Sequence, residues 1–170
     1  MNDLDLAHRS VHQLSGITHQ LANQYLLAAR ETLVRLMRTP GLTEAMKLSR
    51  RPGFYTRNLL FGDDRMSVWA LVWSPGSHTP IHDHHCSCCF GILTGSIREI
   101  SFKSRGGTCA IKIGETNRQA GYIASMIPTG PNIHQMINDG AEDAISLHIY
   151  GYDHRMHGSS VHREYRQVDS

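Results

Sequence analysis

The segment Gly76-Ser77-His78-Thr79-Pro80-Ile81-His82-Asp83-His84-His85-Cys86-Ser87-Cys88-Cys89-Phe90-Gly91-Ile92-Leu93-Thr94-Gly95 decides how the chain is read. Successive side chains of a strand alternate between faces. His82 and His84 therefore share one face, and Asp83 and His85 take the other. Cys86 and Cys88 have the parity of the His82/His84 pair, whereas Cys89 joins them only if a bulge intervenes. Two imidazoles in an apolar interior need partners, because an unpartnered buried polar group costs free energy. A shared metal ion would serve both rings. Imidazole suits zinc, copper, iron and nickel, while thiolate pulls toward zinc or Cu(I). The cysteine spacing is not that of a Cys-x-x-Cys ribbon, which argues against purely structural zinc. His78 and His85 read as exposed residues or as supports of the ligands.

A third ligand must come from a distant strand. Pro128-Thr129-Gly130-Pro131-Asn132 is a turn, and His134 stands where the strand Ile133–Ile137 would begin. Downstream, Ser146-Leu147-His148-Ile149-Tyr150 puts three polar side chains on one face and two apolar ones on the other. That stripe reads as a hydrogen-bonded relay; three residues facing water is the competing reading.

Around these segments the chain has two textures. Residues 1–48 read as a helical layer. From Ile17 to Met37 the residues Leu21, Tyr25, Ala28, Ala29, Leu33 and Leu36 recur at steps of three and four, as one buried helix face requires. Thr18 is the expected N-cap, Pro40-Gly41 the stop, and Thr43–Leu48 a short second helix. Residues 55–152 read as short strands: Met66–Trp73, Cys88–Leu93, Ser96–Phe102, Ala110–Ile113, Ala120–Ile127, Ile133–Ile137 and Ala144–Tyr150, with Ser104–Gly107 as a turn. Strands of this length punctuated by Gly and Pro indicate a sandwich or a small barrel. Residues 153–170 read as a polar tail whose His154, His157 and His162 face solvent.

The 170 residues suit one domain. Seventeen Lys and Arg balance fifteen Asp and Glu, which argues against nucleic acid or a membrane surface as the main partner. No run reaches the roughly 18 apolar residues of a membrane span. Met1–Asp5 has no signal-peptide pattern. Four cysteines in such a chain read as cytoplasmic thiols, with Cys109 a half-buried strand residue.

The spacing Gly76-x5-His82-x-His84-x3-Cys88-x6-Gly95 resembles the first motif of the cupin superfamily, with cysteine in place of the usual glutamate. Pro128-Thr129-Gly130, His134 and Asn138 resemble the second motif. The absent glutamate resembles the cysteine dioxygenase family of thiol dioxygenases. So do Tyr55-Thr56-Arg57-Asn58-Leu59, Val72-Trp73 before Gly76, and Ser146-x-His148-x-Tyr150. The resemblance covers about residues 50–152. It implies a mainly β, cupin-type small barrel with N-terminal helices packed on it. It implies Fe(II) held by His82, His84 and His134, and a small thiol plus O2 as partners. Arg57 would bind the substrate carboxylate, with Tyr150, His148 and Ser146 catalytic. L-cysteine would be oxidised to its sulfinic acid. A thioether would join Cys88, or by local string Cys89, to Tyr150. Another thiol acid such as 3-mercaptopropionate, or a non-catalytic metal-binding cupin, are the alternatives; Arg57 leans toward cysteine.

Overall fold

The computed structural model describes residues 3–128 and 132–169. The N-terminal layer is one long helix, α1 (Asp3–Met37), and one turn, α2 (Leu42–Ala45). Among the described residues ten strands follow: β1 (Tyr55–Gly62), β2 (Ser67–Trp73), β3 (Ile81–His84), β4 (Cys88–Thr94), β5 (Ser96–Gly106), β6 (Cys109–Gln119), β7 (Ile123–Met126), β8 (His134–Ile137), β9 (Ala144–Tyr150) and β10 (Val161–Gln167). A one-turn helix, α3 (His154–His157), precedes β10.

The strands form a five-stranded sheet, ordered β1-β2-β9-β4-β7, and a closed barrel, ordered β10-β3-β8-β5-β6. The barrel closes where β10 runs parallel to β6 through Arg166 and Gln167. No helix among the described residues is long and apolar enough to cross a membrane.

β9 is buried along its whole length because both faces are covered. Leu147 and Ile149 pack outward with Leu26, Ala29 and Leu33 of α1. The opposite parity, Ser146, His148 and Tyr150, looks inward. The helix is therefore the lid of the sheet's outer face, and its anchors are large apolar groups removed from water, each contributing roughly 1.5–3 kcal/mol when fully buried.

Several boundaries differ from expectation. α1 begins at Asp3, and Thr18 lies inside it, its hydroxyl donating to the Leu14 carbonyl at 3.0 Å. Residues 11–21 are exposed, so the helix is continued there without the packed face that periodicity detects. Leu21 and Ala28, expected on the buried face, are exposed, and Leu26 takes the place between Tyr25 and Ala29. α2 stops at Ala45, before the expected Leu48, because Lys47 adopts a positive φ of 29°. β5 and β6 run to Gly106 and from Cys109 as one long hairpin, through the expected turn at Ser104. β7 starts at Ile123 because Gly121, at φ 92°, turns the chain first. Residues 161–167, expected in a polar tail, form β10 instead.

Candidate metal centre

The strand parity expected for the histidine segment holds. His82 and His84 are buried on β3, Asp83 is half-buried on the other side, and His85 and His78 are exposed. Asp83 ties β3 to β10 by accepting from the Arg163 N–H at 2.7 Å and the Tyr165 hydroxyl at 2.8 Å. β8 lies antiparallel to β3 with His134 directly opposite His82. The ligand atoms of His82, His84 and His134 lie within 4.8 Å of one another. Among the described residues this cluster holds three imidazoles and neither a carboxylate nor a thiol.

Hydrogen bonds set the tautomers. His82 Nδ1 lies 2.9 Å from the Pro80 carbonyl, and His134 Nδ1 lies 2.8 Å from Glu99 Oε1. Both oxygens only accept, so each Nδ1 carries a proton. Burial, followed by the neighbouring His134, pushes His82 down to about 4 and His84 down to about 2, so both rings are neutral at pH 7. His84 Nε2 stands 3.1 Å from His134 Nε2, and His84 Nδ1 is buried without a hydrogen-bond partner among the described residues. Three converging buried ring nitrogens suit a divalent cation.

Glu99 was not visible as a site residue in the sequence. Its signal is a charge at an inward position of an alternating strand. Burial pushes its carboxyl up, but His134 and Arg118 outweigh burial and hold it below its usual value. Arg118 Nε donates to the other carboxylate oxygen at 2.9 Å. The Arg118–Glu99–His134 chain thus orients the His134 ring.

The five-stranded sheet supplies the facing wall. Trp73 Nε1 donates to Ser146 Oγ at 2.8 Å, Ser146 Oγ lies 2.8 Å from His148 Nε2, and His148 Nδ1 lies 3.2 Å from the Tyr150 hydroxyl. The indole N–H can only donate, which leaves the Ser146 proton free for His148 Nε2 and the Nδ1 proton for Tyr150. Phe90 stacks on His148, with ring centroids 5.4 Å apart. Burial, with Cys88 next, pushes the Tyr150 phenol well above its usual value, so it stays protonated. The Tyr150 ring centroid is 6.4 Å from that of His84.

Cys88 stands opposite Tyr150 in the β4–β9 register and lines the same pocket. Cys89 faces the other way, into the cluster under α1, with its Sγ 3.2 Å from Ser125 Oγ. All four cysteines are free, and Cys109 is half-buried. Arg57, on β1, is exposed at the pocket mouth, with its guanidinium carbon 5.8 Å from the Trp69 ring centroid. Tyr55 shares its face and stacks on Trp73 at 5.0 Å.

The three imidazoles line a pocket of about 70 Å³ with Arg57, Cys88, His148 and Tyr150. One water needs roughly 10–15 Å³ on that measure, so the space suits a molecule of a few heavy atoms. Among its described lining residues, Arg57 carries the only permanent charge. Ser159, Ser160 and Val161 complete the wall, from a segment expected to be tail. His157 and His162 are exposed, and the side chain of His154 lies outside the described residues.

The framing motif residues have mechanical roles. Gly76 and Gly95 hold positive φ of 81° and 73°, and a Cβ on Gly95 would come within 2.9 Å of Ala144. Asn138 fastens the loop after β8, its amide donating to the carbonyls of Trp73 at 2.7 Å and Glu142 at 2.9 Å. Thr129 and Gly130 of the second motif lie outside the described residues.

The chain is similar in structure to TT1209 from Thermus thermophilus, with TM-score 0.51 and 16% identity over 65% of this chain and 93% of that one. A double-stranded β-helix protein from Klebsiella pneumoniae aligns with TM-score 0.49 and 20% identity over 68% and 90%. A cupin superfamily protein from Desulfitobacterium hafniense aligns with TM-score 0.48 and 15% identity over 62% and 84%. The fold is the cupin-type barrel with an N-terminal helix. Residues 4–156 match the cysteine dioxygenase type I family, the match running through α1 and the strands β1 to β9. The chain therefore belongs to the cysteine dioxygenase type I family.

Proposed function

We propose that this protein is a cytoplasmic, non-haem iron thiol dioxygenase that oxidises L-cysteine with O2 to cysteine sulfinic acid. The observation that carries the reading is the union, in one small pocket, of three buried imidazoles with, among the described lining residues, a single permanently cationic side chain at the mouth. The reaction adds both atoms of O2 to the substrate sulfur, RSH + O2 giving RSO2H. His82, His84 and His134 are the residues that would hold ferrous iron, which supplies the redox chemistry joining thiol and dioxygen.

The protein's own groups bind and orient. Arg57 offers a planar, always charged fork to a carboxylate. No acidic side chain lines the described pocket to recognise an amine, which favours a thiol bearing a carboxylate over a simple aminothiol. The Tyr150 phenol is a protonated donor beside the substrate, and His148 and Ser146 fix its direction and steer protons. The position of Cys88 opposite Tyr150 supports a thioether between its Sγ and the Tyr150 ring, formed with transfer of two hydrogens to dioxygen. Peptide mapping of turned-over enzyme would detect that link by the loss of two hydrogens; an unmodified Tyr150 peptide contradicts it.

Steady-state oxidation by the iron-loaded protein tests substrate choice. L-cysteine should give the highest kcat/KM, ahead of 3-mercaptopropionate and far ahead of cysteamine. Preference for 3-mercaptopropionate would reassign the substrate, and equal use of cysteamine would remove Arg57 from binding.

A further inference from the structure

Helix α1 outruns the sheet it covers. It is held there by Leu26, Ala29 and Leu33, with Tyr25, Leu36 and Met37 packed around them, all in its C-terminal part. Residues 11–21, about three turns, are exposed without interruption. Their composition is not that of a solvated helix. Val11, Leu14, Ile17 and Leu21 are 67%, 64%, 46% and 60% exposed, and residues 11–29 contain no Asp, Glu, Lys or Arg. A lone helix of this length is marginal in water, and Gly16, Thr18, His12 and His19 lower its propensity further. The overhang therefore has both a reason to be covered and an apolar row with which to be covered.

The spacing of that row indicates the cover. Val11, Leu14, Thr18 and Leu21 follow steps of three, four and three, the narrow seam by which one helix packs along another. Thr18 fits such a seam because its hydroxyl is satisfied within the helix, donating to the Leu14 carbonyl at 3.0 Å. Positions flanking a helix seam choose the partner by charge. Here they are Ser15, Ile17, Ala22 and Gln24, and none is charged. Nothing in them selects a different chain, and nothing repels an identical one. The lack of Lys and Arg also disfavours an anionic lipid surface, which amphipathic helices meet with a basic face.

We propose that Val11, Leu14, Thr18 and Leu21 form the seam of a homodimer in which the overhanging halves of two α1 helices pair antiparallel about a two-fold axis. An axis near Gly16 sets Val11 against the partner's Leu21 and Leu14 against the partner's Thr18. Antiparallel pairing opposes the helix dipoles and leaves the two barrels at opposite ends. Each copy offers the same patch, so assembly closes at two. The seam is shorter than the roughly 20–30 residues a side of a standard interface, so the dimer should dissociate on dilution. This interface does not depend on the thiol dioxygenase reading.

Sedimentation velocity on the full-length protein, from low micromolar to near-millimolar concentration, tests it. The mass should rise from 19.1 kDa toward twice that value. Leu14→Glu/Leu21→Glu, at two exposed positions, should remain monomeric throughout, with the thermal unfolding of the dilute wild-type protein. Leu14→Glu and Thr18→Lys should each be monomeric alone, and their equimolar mixture should regain the dimer, because the antiparallel seam sets one position against the other. A wild-type protein that stays at 19.1 kDa at the highest concentration, or a dimer that survives Leu14→Glu/Leu21→Glu, overturns the proposal. A mixture that stays monomeric overturns the antiparallel arrangement. Wild-type monomer that binds phosphatidylglycerol vesicles, with binding lost in Leu14→Glu/Leu21→Glu, would assign the row to a lipid surface and likewise overturn the proposal.

Discussion

The closed barrel carries the three imidazoles and their carboxylate support, Glu99, whereas the five-stranded sheet carries Arg57, Cys88 and the Ser146–His148–Tyr150 chain. Each sheet follows its own construction. On β3 and β8 the inward positions are given to nitrogen donors fixed by a carbonyl and a carboxylate. On β9 the inward positions are given to a hydrogen-bonded series, with the outward ones packed against α1. On the proposed function, metal retention and substrate handling would sit on separate walls, so each is expected to fail without the other.

Substitutions on the two walls should therefore sort cleanly. The largest effect belongs to His134→Ala, which should abolish stoichiometric iron binding as read by metal analysis; retained iron would remove His134 from the ligand set. Glu99→Gln leaves the ring in place but weakens its orientation, and should lower metal affinity about 10–100-fold in a chelator competition. On the other wall, Tyr150→Phe should slow turnover by about 100-fold, as loss of a positioned proton donor does, at unchanged metal content. Arg57→Ala should raise the KM for L-cysteine by about tenfold or more, given the strength of charged hydrogen bonds, and spare cysteamine. The smallest change is Trp73→Phe, which removes one donor to Ser146 and should cost only a few-fold in kcat. Iron loss in Tyr150→Phe or Arg57→Ala would show that the two walls are not separable.

Much of this division was legible in the sequence. Strand parity alone put His82 with His84 and Ser146 with His148 and Tyr150, since a period of two leaves no other choice. The same parity separated Cys88 from Cys89. Glu99 escaped because a charge in an alternating strand looks like a solvent-facing residue until its partners, Arg118 and His134, are brought in from β6 and β8. Ser160 escaped because it sits in a mostly polar stretch that is brought to the pocket by the pairing of β10 with β3. The true start of α1 escaped because residues 11–21 are exposed, and periodicity reports packing rather than helicity.

The central claim is that the His82–His84–His134 centre runs oxygen chemistry on a thiol acid. Oxygen uptake by the iron-loaded protein with L-cysteine under 18O2, with the product weighed by mass spectrometry, tests it most directly. The account predicts one O2 consumed per cysteine, and cysteine sulfinic acid with both new oxygens labelled. Tight zinc binding with no oxygen uptake and no sulfinate from any thiol acid would contradict it.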